Sequence, residues 1–351
     1  MRTILVTVGT SLLKNARQDL EKQEPNIPNI QEIANYLRRT PPEQASAETN
    51  SLSRILQEGD KIIFLHSETH EGRFCAEALE QHYQKQGYLA EVCEIPDLTY
   101  AESRFKMRGL RSLVATLIER IRRERQAQRE VLINATGGFK AEIAYATVVG
   151  LLFDVPVYYI HEAFRDIIQM PPTPIGWDYS LMAEHEEFFE WLNEDLRRTA
   201  DVEKRLRGLP RSEEIHLLLV EEEDFTFLSP TGEAFYEAYK TRLEQAQETP
   251  LWLSEVAWRT YEKAAPDVKA LFNRALRKLR MKELRISGSD RVQNSDCLAF
   301  PKGHRDERVF YFEENGKIYV CELTRHSDKS YERAIEHGVY RNHYGGWRRY
   351  Y

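Results

Sequence analysis

The chain has 351 residues, too many for one typical compact core, so two or three domains are expected. Hydrophobic residues make up 42% and charged residues 30%, which excludes a disordered chain, and the net charge of −7 excludes general attraction to nucleic acid. Any RNA contact must come from a local basic patch. Cys75, Cys93, Cys297 and Cys321 form no CxxC spacing, which argues against a zinc ribbon or disulfide framework and for a reducing cytoplasm. Met1-Arg2 runs straight into an apolar strand without the features of a secretory leader, and no apolar run approaches the roughly 20 residues of a bilayer span, so no membrane association is expected.

Five short apolar runs, Thr3–Val8, Lys61–His66, Leu89–Ile95, Glu130–Ala135 and Val155–Ile160, have the length and β-branched content of buried parallel strands. Helical patterns lie at Gln31–Arg39, Arg73–Gln86, Ser103–Arg125 and Lys140–Phe153, and the alternation predicts a doubly wound α/β sheet. The polar, proline-bearing stretches Lys14–Pro28 and Thr40–Asn50 read as surface insertions.

Such sheets bind ligands beyond the carboxyl ends of their strands. There the sequence offers Gly9-Thr10-Ser11 after the first strand, Glu68 and Thr69 after the second, and Asn134-Ala135-Thr136-Gly137-Gly138-Phe139-Lys140 after the fourth. Two glycines between strand and helix allow close backbone approach, the free amides of the helix start favour phosphate, and Lys140 adds charge. Asn134 and Thr136 offer hydrogen bonds to ribose or base edges. Taken alone, Gly137-Gly138 is equally a tight turn. Neither GxGxxG nor GxxxxGK[ST] is present, so no dinucleotide fingerprint or P-loop is supported.

"ILVTVGTSLL" together with "NATGGFKAEIAY" resembles the CARF domain, the Rossmann-like sensor family of CRISPR systems. The resemblance covers about residues 1–165. It implies a homodimer that binds a cyclic oligoadenylate, with cyclic tetra-adenylate favoured, through Gly9, Thr10, Ser11, Asn134, Thr136, Gly137, Gly138, Phe139 and Lys140, with Glu68 and Thr69 in a looser middle loop.

Residues 178–207 are charged and helical in pattern. Leu217–Val220 and Phe225–Leu228 read as strands around the acidic turn Glu221–Asp224, and Ser229-Pro230 starts a helix. This order resembles a winged helix, but its acidic turn would repel phosphates, so a dimerising linker is the preferred reading.

After Leu251 two helical patterns precede "RVFYFEENGKIYVCEL", where Asn315-Gly316 signals a two-residue hairpin turn. Alternation places Val309, Tyr311 and Glu313 on one face and Arg308, Phe310 and Phe312 on the other. The second helix carries Arg274, Arg277, Lys278, Arg280, Lys282 and Arg285, read as a solvated face or an RNA surface. Ribonuclease chemistry without a metal needs proton-transfer groups, cations on the transition state and an aromatic ring for a base. Arg308, Arg325, His326 and Tyr331, with Lys302, His304 and Arg305 upstream, supply these types.

The order of these elements resembles the RelE family of ribosome-dependent mRNA interferases, over about residues 251–335. The resemblance implies that Arg308 and Arg325 stabilise the transition state and that Tyr331 orients RNA. The chain departs from the family in lacking lysines in Cys297–Pro301; Lys302, His304 or Arg305 would substitute, and His326 is a further candidate. In the tail, "HGVYRNHYGGWRRYY", the interleaved cations and rings suit either stacking on RNA or packing on the domain.

The expected architecture is therefore a Rossmann-like CARF sensor (1–170), a winged-helix-like connector (171–249) and a small α+β RelE-like ribonuclease with an aromatic-basic tail (250–351). The expected activity is metal-independent endonucleolytic cleavage of mRNA on the ribosome, switched on by the cyclic nucleotide and needing no cofactor. The alternative is a non-enzymatic ligand-sensing regulator that binds RNA or protein.

Overall fold

The computed structural model describes residues 1–21, 27–99, 101, 105–160, 166–171, 176–303 and 305–351, with the side chains of 106 and 107 left aside. The chain packs as two compact units, Met1–Pro174 with Leu192–Glu237, and Ile175–Trp191 with Ala238–Tyr351. Residues 171–249, read from sequence as one connector, are divided between them. No described helix is long and apolar enough to cross a membrane.

The first unit is built on a six-stranded sheet: β1 (Arg2–Val8), β2 (Lys61–Ser67), β3 (Leu89–Ile95), β4 (Glu130–Asn134), β5 (Val157–Tyr159) and β6 (Ile168–Met170), in the order β3-β2-β1-β4-β5-β6. β1 to β5 are parallel, and β6 closes the edge antiparallel to β5. β1 is the central strand because both its faces are covered: Thr3 through Val8 are all buried, as an unbroken apolar run in a two-sided sheet requires. At its amino end Glu124 accepts from Thr3 Oγ1 (2.8 Å), Lys61 Nζ (3.0 Å) and Arg129 Nη1 (2.7 Å). Burial works against this carboxylate's charge, yet these bonds hold it down at about 2.

The helices stand near their sequence-predicted places, at Ile30–Arg39, His70–Lys85, Leu110–Gln126 and Lys140–Leu152. Residues 103 and 104, the start of the third pattern, lie outside the described residues; Phe105–Gly109 forms a π-turn leading into the helix. The stretches read as surface insertions differ. Ser11–Asp19 is a helix that buries Leu12, Leu13 and Ala16; residues 22–26 of that stretch lie outside the described residues. Thr40–Asn50 folds into the short helix Pro42–Ala45 and the start of Ala47–Ile55, which buries Glu48, Thr49, Asn50, Ser51 and Leu52. Ser46 caps the second by accepting from Thr49 N, with Thr49 Oγ1 accepting from Ser46 N in return. Polar composition suggested a surface here, but the polar groups satisfy one another inside.

Residues 192–237 add a small antiparallel sheet, β7 (Arg197–Arg198), β8 (Leu219–Glu222) and β9 (Phe225–Leu228), in the order β7-β9-β8. β8 starts two residues later than its apolar run because Leu217 and Leu218 follow directly on the helix Ser212–His216, with Leu218 N bonded to Ile215 O.

The second unit has its own six-stranded sheet: β10 (Leu251–Leu253), β11 (Asp290–Arg291), β12 (Leu298–Phe300), β13 (Glu307–Glu314), β14 (Lys317–Arg325) and β15 (Arg348–Tyr350), ordered β11-β12-β13-β14-β10-β15. β13 and β14 form the expected hairpin, and Asn315 (φ 51°) and Gly316 (φ 71°) take the left-handed conformations of a primed turn. The register shifts at Phe310/Tyr311, leaving Cys321 unmatched on β14. The predicted alternation is lost there: Val309, Phe310 and Tyr311 are all buried. Helices Glu255–Lys263, Pro266–Leu279, Lys282–Gly288 and Lys329–His337 belong to the same unit.

The tail folds back. β15 pairs antiparallel with β10, Trp347 sets its edge against Phe312 (5.7 Å) and Tyr319 (5.1 Å), and Tyr344 donates to Glu322 Oε1 (2.5 Å). All four cysteines are free thiols, with the sulfurs of Cys297 and Cys321 3.6 Å apart.

Candidate functional site

The chain order reverses between β1 and β4, so the loops leaving these two strands flank the crevice where a doubly wound sheet takes its ligand. They touch. A Cβ on Gly9 would stand 2.7 Å from Gly138 N, and one on Gly137 would meet Thr7 O at 2.5 Å and Glu48 Oε1 at 2.2 Å. Only glycine permits that approach, and Gly138 (φ +94°) also needs its conformational freedom. Thr7 Oγ1 donates to Gly137 O (2.6 Å) and fastens one loop to the other.

Beneath them lies Glu48, which sequence reasoning missed. It is fully buried; Oε1 accepts from Gly9 N (2.8 Å) and Oε2 from Ser11 Oγ (3.3 Å), while Ser11 Oγ accepts from Ala47 N (3.0 Å). Burial pushes its carboxyl up, against the pull of the Gly9 amide. No local pattern marks Glu48, because its partner Gly9 is 39 residues away. Glu142 was also missed, although its place three residues into the helix from Phe139 is a capping signal. Its Oε1 accepts from Phe139 N (3.2 Å), and burial raises it to about 7.

The predicted ligand residues fall into two groups. Gly9, Thr10, Ser11, Thr136, Gly137, Gly138, Phe139 and Lys140 gather at the crevice; Gly138, Phe139 and Lys140 are exposed, and Phe139 sets its ring 5.1 Å from Phe105. The helices Ser11–Asp19 and Lys140–Leu152 both start here, and the first amides of a helix have no partner within the helix itself. The second group is committed to bonds within the protein. Asn134 is fully buried, donates to Ser51 Oγ (2.7 Å) and accepts from Thr136 Oγ1 (2.8 Å), so it braces the loop. Thr69 caps His70–Lys85 by accepting from Gly72 N (3.0 Å). Glu68 is exposed and accepts from Asp97 N (2.7 Å).

In the second unit, the start of β13 and the end of β14 lie side by side, with Glu307 opposite Arg325 and Arg308 opposite Thr324. This end brings together Arg325, His326 and Tyr331. The rings of His326 and Tyr331 are 4.4 Å apart, and Tyr331 also lies 6.4 Å from Phe310. Arg325 pairs through Nε with Asp306 Oδ2 (2.6 Å), which raises its already high pKa further. Asp306 was passed over between Arg305 and Arg308. Arg308 itself is buried, with its guanidinium donating to Gly303 O and Glu307 O. Lys302 is exposed, its amide bonded to Gly288 O (2.7 Å). Arg305 donates to Glu184 O. His304 lies outside the described residues.

The basic run on the Pro266–Leu279 helix and beyond is largely matched within the unit. Arg274 pairs with Glu187, Arg277 and Lys278 with Glu186, and Arg285 with Glu313, while Arg280 donates to Gln247 O and Tyr350 O. Among the described residues no three His, Cys, Asp or Glu side chains gather as a metal site.

Residues 43–173 match the family model described as "CRISPR-associated protein (Cas_APE2256)". The match takes in Glu48 and the loops after β2 and β4, and leaves out β1 and the whole sheet of the second unit. Two solved structures are similar in part. Protein VC1899 from Vibrio cholerae aligns over 70% of this chain and 68% of its own, at 11% identity and a TM-score of 0.29. Can2 from Sulfobacillus thermosulfidooxidans, in complex with cyclic tetra-adenylate, aligns over 94% of this chain and 79% of its own, at 12% identity and a TM-score of 0.26.

Proposed function

We propose that this chain is an ancillary effector of a type III CRISPR system: a CARF-type sensor of cyclic oligoadenylate joined to a RelE-like endoribonuclease. The observation that carries the reading is the CRISPR-associated family match over 43–173, the stretch that supplies the Gly137-Gly138 loop and Lys140 of the crevice. Backbone amides at two helix starts, a close glycine approach and one exposed lysine suit a phosphodiester ring, and cyclic tetra-adenylate is the first ring to test. A ring with two-fold symmetry calls for the same surface from each of two subunits, hence a homodimer. Light scattering with ligand present should give twice the chain mass; a monomer would contradict it.

For the second unit the reading is metal-independent cleavage of mRNA on the ribosome. The RNA 2′-oxygen attacks the adjacent phosphorus as its proton leaves, and the bond to the 5′-oxygen breaks as that oxygen gains a proton. The ends are a 2′,3′-cyclic phosphate and a 5′-hydroxyl. Arg325 would stabilise the phosphorane-like charge, Tyr331 and His326 would stack a base or handle protons, and Lys302 would add charge. Arg308 fits this role only after turning out of its burial, and that burial favours the second reading, a non-enzymatic RNA- or protein-binding regulator. Mass spectrometry of mRNA ends from ribosomes incubated with the protein and a panel of cyclic oligoadenylates decides between them. Cyclic-phosphate ends that appear only with ligand support the enzyme; intact mRNA throughout supports the regulator.

A further inference from the structure

Asp306 holds the 325–326 corner twice. Its carboxylate oxygen Oδ2 takes Arg325 Nε–H at 2.6 Å, and its main-chain oxygen accepts from His326 N, also at 2.6 Å. Asp328 adds a third restraint by accepting from Arg325 N through Oδ2 (3.0 Å). The side on which Asp306 grips the guanidinium matters. Binding at Nε leaves the two terminal nitrogens without a partner among the described residues. Those two nitrogens form the fork that meets a phosphate through parallel hydrogen bonds. The Arg325 side chain is about one-third exposed (37%), so solvent reaches it while its Nε is held. Arg308, on the neighbouring strand, shows the opposite arrangement: its two terminal nitrogens donate to main-chain oxygens, those of Glu307 and Gly303.

We propose that Asp306 is the positioning residue of the nuclease site, fixing Arg325 by its Nε so that the free fork faces the scissile phosphate. The inference rests on the ribonuclease reading above. An unrestrained arginine must lose rotamer freedom on each encounter with the transition state, and the Nε grip removes most of that loss beforehand. A merely structural ion pair this exposed would contribute little to stability and nothing to rate.

The test is single-turnover cleavage of ribosome-bound mRNA at saturating cyclic tetra-adenylate, comparing wild type, Asp306→Ala, Asp306→Asn, Arg325→Ala and the double variant. Asp306→Ala should slow the maximal rate by about 10- to 100-fold, the size seen when an orienting partner is removed, with little change in half-saturation or Tm. Asp306→Asn, which still accepts a hydrogen bond, should fall between. In the Arg325→Ala background, removing Asp306 should cost almost nothing more, because the two act as a unit. Low, non-denaturing guanidinium should restore part of the activity of Arg325→Ala, and should fail to do so without Asp306.

Wild-type rates in Asp306→Ala, or full multiplication of the two losses, would overturn the positioning role while leaving the nuclease reading intact. Wild-type rates in Arg325→Ala would take Arg325 out of the site and overturn the positioning role with it, whereas no cleavage by the wild type would overturn the ribonuclease reading itself.

Discussion

The crevice between β1 and β4 and the basic end of the second sheet are built on opposite principles. In the proposed function the main chain carries the recognition at the crevice: two glycine loops in contact, amides at two helix starts, and side chains such as Glu48, Glu142 and Asn134 turned inward to hold the backbone. At the basic end the main chain is a bulged hairpin, and in the proposed function long side chains would do the recognising, with Asp306 paired to Arg325 through Nε. Backbone recognition is rigid and tolerates almost no added atom. Side-chain recognition rests on a few charged groups, each of which matters more. Substitutions should therefore act differently at the two places.

The largest effect is expected from Arg325→Ala. Losing one transition-state donor lowers a rate by about 100- to 1,000-fold, or roughly 2.7–4 kcal/mol. Single-turnover cleavage should show that loss while calorimetry shows unchanged ligand affinity; a change in affinity would erase the separation between the two regions. Lys140→Ala comes next. Removing a charge-assisted bond to phosphate costs about 1.5–3 kcal/mol, or roughly 10- to 150-fold in affinity. Calorimetry with cyclic tetra-adenylate should register it with no change in Tm, and unchanged affinity would mean that the loop does not touch the ring.

Gly137→Ala sharpens the contrast from the other side. The added methyl lands among Thr7 O, Gly9 N and Glu48 Oε1, so stability should fall by about 1–3 kcal/mol, as overpacking does. Denaturant unfolding checks this, and a wild-type midpoint would show that the loops are not in contact. The last effect concerns pH. Glu142, raised to about 7 when folded, binds a proton more tightly in the native state than unfolded. Its contribution is therefore fully present below the ordinary glutamate range and lost as pH rises through 7; Glu48, also raised, acts in the same direction. Glu142→Gln should flatten the fall in unfolding midpoint between pH 5 and 8, and an unaltered slope would assign the fall elsewhere.

What the sequence made legible follows the same division. Apolar runs announced β1 through β5 because a two-sided sheet needs continuous burial. The Asn315-Gly316 turn announced the hairpin, and the glycines of the crevice were visible because a close approach leaves no other residue. Glu48 stayed hidden, since its partner lies 39 residues away and its helix has the composition of a surface loop. β10, β11 and β15 are two or three residues long, too short for any periodicity. The basic run on Pro266–Leu279 looked like an open surface because the acids that match it, Glu186 and Glu187, lie some 90 residues upstream.

The central claim is that a cyclic nucleotide at the crevice controls cutting at the Arg325 end. Its most direct test is mRNA cleavage on purified ribosomes, followed by toeprinting across a titration of cyclic tetra-adenylate, for wild type and Lys140→Ala. The account predicts no cutting without ligand, cutting that saturates with it, and for Lys140→Ala the same plateau reached at about 10- to 150-fold higher ligand. Equal cutting with and without the ring, or an unshifted titration for Lys140→Ala, would contradict it.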